Sequence, residues 1–272
     1  MPLLVCATPI GNLEDVTLRV LAALREADAV LCEDTRRTQV LLDRYEIRAH
    51  ALVSVHRHNE ARRVQELVPR LQEGETHALV SDAGLPGVND PGSRLVRAAL
   101  AADVEVTVLP GPSAVETSLV VSGLVAEQYR FLGYLPRRAA ELRALWEEAR
   151  GWPYAAVAFE SPRRLPVSLA ALAQVDPDRQ LAICRELTKR FEEVTRGTAG
   201  ELASRFREPV KGEVTIVVGH APEKRAVLGE AVVAVRELVA AGAPRRPAAD
   251  AVARLVGVSR NDLYRASLAL PD

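Results

Sequence analysis

Cysteine, lysine and methionine are all scarce in this chain of 272 residues. The cysteines are Cys6, Cys32 and Cys184, odd in number, far apart and without C-x-x-C spacing. That pattern argues against a disulfide framework or a zinc site and suits a reducing compartment. The only lysines are Lys189, Lys211 and Lys224, so almost all of the positive charge is arginine. Net charge is 35 − 36 = −1. A near-neutral balance argues against coating nucleic acid by bulk electrostatics, and it leaves room for a local basic patch. No apolar run reaches the roughly 18–20 residues of a membrane span. The start, Met1 to Thr8, has no basic region followed by a long apolar core, and it reads as a first strand rather than a signal peptide. A cytoplasmic location without membrane association is expected. What is abundant is apolar surface: 48% of the residues are hydrophobic, enough for a real core.

Short apolar runs alternate with helix-length periodic segments. Strands are expected at Leu3–Thr8, Ala29–Cys32, Ala78–Ser81 and Val104–Leu109, with helices at Leu18–Glu26, Thr38–Tyr45, Ala61–Leu71, Arg94–Leu100 and Ala114–Val121. This β-α alternation argues for a mostly parallel sheet covered on both faces. After Gly123 the pattern shifts. Strands at Tyr129–Tyr134, Tyr154–Phe159, Arg179–Arg185, Glu192–Arg196 and Val214–Val218 come with fewer helices between them, and Thr198 is a plausible helix N-cap. A helix begins at Pro162, with proline in its first turn. Beyond Pro222 only helices are expected. The last two, separated by Gly257-Val258-Ser259, resemble a helix-turn-helix. Five arginines and two aspartates between Ala243 and Ser267 leave that piece with 5 − 2 = +3. It could touch nucleic acid, or simply cap a domain or a dimer partner. The expected organisation is an α/β domain over residues 1–123, a mixed α/β domain over 124–222 and a helical tail over 223–272.

Two turns stand out. Ala83-Gly84-Leu85-Pro86-Gly87-Val88-Asn89-Asp90-Pro91-Gly92 and Pro110-Gly111-Pro112-Ser113-Ala114 each follow a strand and precede a helix. In open α/β sheets ligands bind beyond the carboxyl ends of the strands. Glycine allows close backbone approach there and proline stiffens the loop. A small-molecule pocket is the functional reading; two tight connections without a ligand is the bland one.

Further motifs occur in order: Thr8-Pro9-Ile10-Gly11-Asn12, Glu33-Asp34-Thr35-Arg36-Arg37, His56-Arg57-His58-Asn59-Glu60, Glu160-Ser161-Pro162-Arg163-Arg164, Arg185-Glu186-Leu187-Thr188-Lys189 and Lys211-Gly212-Glu213. With the two turns, this set resembles the bacterial 16S ribosomal RNA cytidine-2′-O-methyltransferases, an RNA-modifying branch of the tetrapyrrole-methylase superfamily. The resemblance spans nearly the whole chain. It departs from the tetrapyrrole branch in the first loop, where a G-x-G-P-G pattern is replaced by a single glycine, Gly11. The resemblance implies two α/β domains of tetrapyrrole-methylase type, a small helical tail and a homodimer. It also implies S-adenosylmethionine in the cleft and 16S ribosomal RNA, or the small ribosomal subunit, as substrate. Carried over by motif, the donor would lie against Asp82, Ala83, Gly84, Pro86, Val88, Ser113 and Ala114, with Phe159, Glu160 and Leu187 from the second domain.

Methyl transfer to a ribose hydroxyl needs alignment of the acceptor oxygen and a group to take its proton; it needs no metal. Candidate bases are Glu33, Asp34, Glu186 and Lys189. Asp34 could equally N-cap the helix that follows. Lys189 serves only if its pKa is lowered by burial or by nearby arginines. His56 and His58 could share one side of an extended segment, but no third metal ligand is evident. RNA-backbone contacts are expected from Arg36, Arg37, His56, Arg57, His58, Arg137, Arg138, Arg163 and Arg164. Tyr129, Tyr134 and Tyr154 read as core, with stacking on a base as the alternative. Two other functions fit parts of the pattern. One is a small-molecule methyltransferase of the same superfamily. The other is a helix-turn-helix binding module whose α/β part only senses a ligand.

Overall fold

Short strands that are apolar at every position need cover on both faces, and they have it here. The computed structural model describes residues 2–87, 89–124, 127–221 and 224–268. Its first sheet contains β1 (Leu3–Cys6), β2 (Ala29–Cys32), β3 (Leu52–Ser54), β4 (His77–Val80) and β5 (Val106–Leu109). The order is β3-β2-β4-β1-β5 and every pairing is parallel. Alternation along the strands divides the core. Leu4, Cys6, Val30, Cys32 and Val80 share a cluster with residues of α1 (Leu18–Glu26) and α2 (Thr35–Arg44). Leu3, Val5, Leu31 and Leu79 cluster with α3 (Glu60–Gln72) and α4 (Ser93–Ala101) on the other face. Strand β3 was not expected from the sequence. It has three half-buried residues at the sheet edge, too few to show a period.

The second sheet holds β6 (Tyr129–Tyr134), β7 (Ala155–Glu160), β8 (Gln180–Arg185), β9 (Glu193–Thr198) and β10 (Val214–Val218) in the order β6-β7-β10-β8-β9. Only β6 and β7 run parallel. One face carries α6 (Ala139–Ala149), α7 (Leu165–Val175) and α8 (Ala199–Arg205), with Trp146, Leu165, Leu169 and Leu202 buried against it. The other face carries α5 (Ala114–Ser122), through Val115 and Leu119 against Ala155, Val157, Cys184 and Val217. The chain thus crosses between sheets at the turn 110–113, and α5 packs with the second sheet although it precedes the shift in pattern after Gly123. Burial pushes the Cys6 and Cys184 thiols up to about 12.

Two helix starts move relative to expectation. Helix α2 begins at Thr35 because Asp34 caps it, accepting the Arg36 amide at 2.9 Å. Helix α7 begins at Leu165; Pro162 to Arg164 form the turn before it, and the proline of the first helical turn is Pro166. Thr198 does cap α8, in a capping box whose Glu201 carboxylate accepts the Thr198 amide at 2.8 Å. Thr198→Ala is expected to cost about 1 kcal/mol of stability, read as a lower urea midpoint with an unchanged slope.

The tail forms α9 (Lys224–Ala240), α10 (Arg245–Val256) and α11 (Arg260–Leu268). Their shared core is Val232, Val235, Ala249, Val252 and Leu263. Gly257, at φ +71°, ends α10, and the Ser259 hydroxyl accepts the Asp262 amide at 3.4 Å as α11 begins.

Candidate active site

The two strand-to-helix turns leave the first sheet at the carboxyl ends of β4 and β5 and face the second sheet. Gly84 takes a positive φ of +77° and pairs with Thr8, N to O, at 2.9 and 3.0 Å. The Ser81 hydroxyl donates to the Gly84 carbonyl at 3.1 Å. These bonds lock the loops after β1 and β4 together. Between them and the second sheet lies a cleft of about 750 Å³. Ala83, Gly84, Ser113 and Ala114 line it from one side, and Phe159, Glu160 and Leu187 from the other. Asp82 and Pro86 are not part of that lining. Asp82 sits behind it, accepting the Asp34 amide at 3.1 Å and pairing with Arg37 at 3.5 Å. Pro86 is buried beside Gly92. Val88 lies outside the described residues. The Glu160 carboxylate is engaged within its own domain, by the Ser161 amide at 2.7 Å, the Ser168 hydroxyl and Arg164 at 3.5 Å.

Gly11 explains the single glycine of the first loop. A Cβ there would lie 2.6 Å from Lys189 Cγ and 2.8 Å from the Leu187 carbonyl. The Asn12 amide donates to Thr188 Oγ1 at 2.9 Å across the same seam. Lys189 Nζ is shared by Glu186 and Glu213, at 2.9 Å each. Burial alone lowers its pKa, but those two carboxylates outweigh burial and hold it above the usual lysine value. Lys189 therefore stays protonated, and the condition for it to act as a base is not met. Glu186 is held below the usual carboxylate range, first by Lys189. Gly212, at φ +92°, leaves room for the Glu186 carboxyl, which a Cβ would approach to 2.4 Å.

On the first-domain side, Asp34 is spent on its cap and on Arg36, whose Nη2 lies 2.6 Å away. Hydrogen bonds from Arg36 bring its carboxyl down to about 2, a weak proton acceptor. Glu33 is raised, by burial and then by Asp82, against Arg57 and His56. Asp90 lines the cleft and is pushed up to about 6, by burial and then by Glu33 and Asp82, with Arg57 opposing. The sequence reading named the Asn89-Asp90-Pro91-Gly92 turn but did not single out Asp90; a carboxylate inside a ligand-facing turn was the available signal. Glu116 was also missed. It accepts Tyr129 Oη at 2.8 Å and the Ser113 hydroxyl at one end of the cleft. Glu60 holds the far end of the 83–92 loop, accepting the Gly92 and Arg94 amides at 2.9 and 3.0 Å.

His56 and His58 do not share an extended segment. Residues 57–59 form a turn, closed by the Asn59 side chain accepting the His56 amide at 2.8 Å. Among the described residues no group of three or more His, Cys, Asp or Glu is placed to hold a metal. Arg36, Arg37, Arg57, Arg137, Arg138 and Arg163 are exposed, whereas Arg164 turns inward to the Leu135 and Pro136 carbonyls at 3.3 and 2.6 Å. Tyr129 and Tyr134 are not core. They are 43% and 66% exposed, because β6 is an edge strand along the cleft. Tyr134 stands edge-on to Phe159 at 5.7 Å. Tyr154 is half-buried and stacked on Trp152.

The two-sheet fold is shared with known enzymes. Residues 2–203 match the family model described as Tetrapyrrole (Corrin/Porphyrin) Methylases. The chain belongs to the tetrapyrrole methylase family. Among curated relatives, the ribosomal RNA small subunit methyltransferase I of Micromonospora olivasterospora is 45% identical over 261 residues, covering 94% of this chain and 83% of that protein. Among solved structures, the methyltransferase CobJ superposes with a TM-score of 0.62 at 20% identity, over 81% of this chain and 94% of its own. Uroporphyrin-III C-methyl transferase from Thermus thermophilus, complexed with S-adenosylhomocysteine, gives 0.56 at 19% identity, over 84% of this chain and 100% of its own. These last two methylases share the fold; the first relative is similar in sequence along nearly the whole chain.

Proposed function

We propose that this tetrapyrrole methylase transfers a methyl group from S-adenosylmethionine to the ribose 2′-hydroxyl of a cytidine in 16S ribosomal RNA, as the RNA or within the small ribosomal subunit. The observation that carries the reading is the 45% identity, sustained over 94% of the chain, to a ribosomal RNA small subunit methyltransferase. The cleft suits the donor. Its volume of about 750 Å³ lies within the usual range for a cofactor pocket, and its apolar walls suit an adenine ring. Ala83, Gly84, Ser113 and Ala114 would hold the donor from the first domain, with Phe159 and Leu187 from the second. When bound, S-adenosylmethionine supplies an activated methyl group on sulfonium.

The chain's own work is to grip RNA, orient the hydroxyl and take its proton. Exposed Arg36, Arg37, Arg57, Arg137, Arg138 and Arg163 supply phosphate contacts, so RNA affinity falls as salt rises. The exposed ring of Tyr134 offers a surface on which a base can stack. The tail adds positive charge, and a homodimer completes the proposal. Among the described residues no helix is long and apolar enough to cross a membrane.

The test is tritium transfer from labelled S-adenosylmethionine to small subunits purified without this modification, with the labelled nucleotide mapped. Label on one cytidine ribose is the expected result. Donor binding with no label on RNA would refute the RNA reading and point to a small-molecule acceptor.

A further inference from the structure

Four acids line the cleft: Asp90, Glu116, Glu160 and Glu213. Three of them are engaged. Glu116 accepts from Tyr129 and Ser113, Glu160 from Ser161 and Ser168, and Glu213 from Lys189. Asp90 makes no hydrogen bond or ion pair among the described residues. A half-buried carboxylate facing a cleft without a partner has both oxygens free for an incoming donor. Its surroundings keep it so. The loop that carries it is anchored at Gly92 and Arg94 by Glu60, and the Asn89 side chain rests against Gly133 of β6, where a Cβ would meet it at 3.0 Å. Asp90 is thus held at the junction of the two sheets, in a loop that also contributes Ala83 and Gly84 to the cleft wall.

We propose that Asp90 is the general base that takes the proton of the acceptor hydroxyl. The proposal rests on the RNA-methylation reading above. In the step, the hydroxyl oxygen forms a bond to the methyl carbon while the carbon–sulfur bond breaks. The electron pair of that bond stays on sulfur, and the hydroxyl proton passes to the Asp90 carboxylate. Charge balances: a sulfonium and a carboxylate become a neutral thioether and a carboxylic acid. The groups that face Asp90 are Glu33 at the end of β2, Asp82 at the end of β4, Arg57 from the turn before α3, and Tyr134 from β6. Burial, Glu33 and Asp82 raise its carboxyl to about 6, and Arg57 opposes them. A base with that value is ionised at neutral pH yet still accepts a proton readily. The other sequence candidates lack this combination: Asp34 is paired with Arg36, Glu186 and Lys189 neutralise each other, and Glu33, although raised as well, is not part of the cleft lining.

The test uses the full chain and small subunits lacking the modification. Asp90→Asn is expected to lower the transfer rate about a hundredfold or more, with donor affinity, read by calorimetry, within about twofold of wild type. The rise of wild-type rate through about pH 6 disappears in the variant. Asp90→Glu restores part of the rate. Glu33→Gln moves the rise to lower pH, because a like charge has been removed. A readout without turnover accompanies these. An acid raised in the fold destabilises it once the unfolded chain ionises, so Asp90→Asn melts above wild type at about pH 8, and the gap closes as pH falls below about 4. Asp90→Asn at the wild-type rate, or with the pH 6 rise intact, overturns the assignment. So does loss of activity in Glu33→Gln alone, which places the base there. Wild type that binds donor but labels no RNA overturns the RNA reading and this assignment with it, an outcome distinct from an active wild type beside an equally active variant.

Discussion

Gly84→Val is expected to weaken S-adenosylmethionine binding about a hundredfold, or about 2.7 kcal/mol, while the protein stays folded. Gly84 sits at φ +77°, where a β-branched residue is a genuine outlier. Both of its backbone groups are bonded to Thr8, so the loop cannot relax without breaking the bridge between the β1 and β4 loops. A Cβ alone would meet Ile10 and the Pro112 carbonyl at 3.9 Å, which is ordinary contact. Valine adds two methyl groups beyond that point, at a residue that lines the cleft. Two effects therefore combine: strain of about 1–3 kcal/mol and lost space for the donor. Gly74→Val separates them. Gly74 also has positive φ, at +99°, but nothing lies within 4 Å of its Cβ position and it is not part of the cleft lining. Both variants should melt lower than wild type, and only Gly84→Val should lose donor affinity. Equal donor affinity in both would mean that the donor does not touch this loop.

Removing residues 222–272 is expected to leave donor binding unchanged and to cut RNA methylation at least tenfold, a loss of about 1.4 kcal/mol or more in transition-state binding. The three tail helices pack chiefly on one another, through Val232, Val235, Ala249, Val252 and Leu263. They form a satellite core that can be removed whole. A cut at Ala243, inside the +3 segment, is a poorer experiment. It would keep α9 and strip away α10 and α11, leaving Ala231, Val232 and Val235 uncovered. Such a truncation invites aggregation, which would mimic loss of RNA binding. The clean cut should also reduce the salt dependence of RNA affinity, because arginines such as Arg246, Arg254 and Arg265 would no longer meet phosphate. Full methylation by the shortened protein would remove the tail from the RNA interface.

Much of the architecture is written in local pattern. The β-α alternation, the strands at Ala29–Cys32, Tyr129–Tyr134 and Val214–Val218, and the Thr198 cap depend on neighbours within a few residues, so they could be read directly. The single glycine of the first loop was visible, but not its reason: Leu187 and Lys189, distant in the chain, press closest there. Strand β3 was not, because three residues at a sheet edge carry no period.

The sequence by itself determined the fold class and the two turns that line the cleft, since each rests on periodicity or on the backbone freedom of glycine and proline. Only the tertiary structure decided which charged groups are at liberty. Lys189 is locked because Glu213, distant in the chain, reaches it from the other side. Asp34 is occupied by its own cap, although its spacing allowed either role. Helix α5 follows the first sheet in sequence but lies on the second. Asp90 stands free because Glu60 holds its loop and no cation closes on it within ion-pairing distance among the described residues. The electrostatics of a carboxylate depend on what surrounds it in space, and those neighbours come from β2, β4, β6 and the turn before α3, elements that only folding brings together.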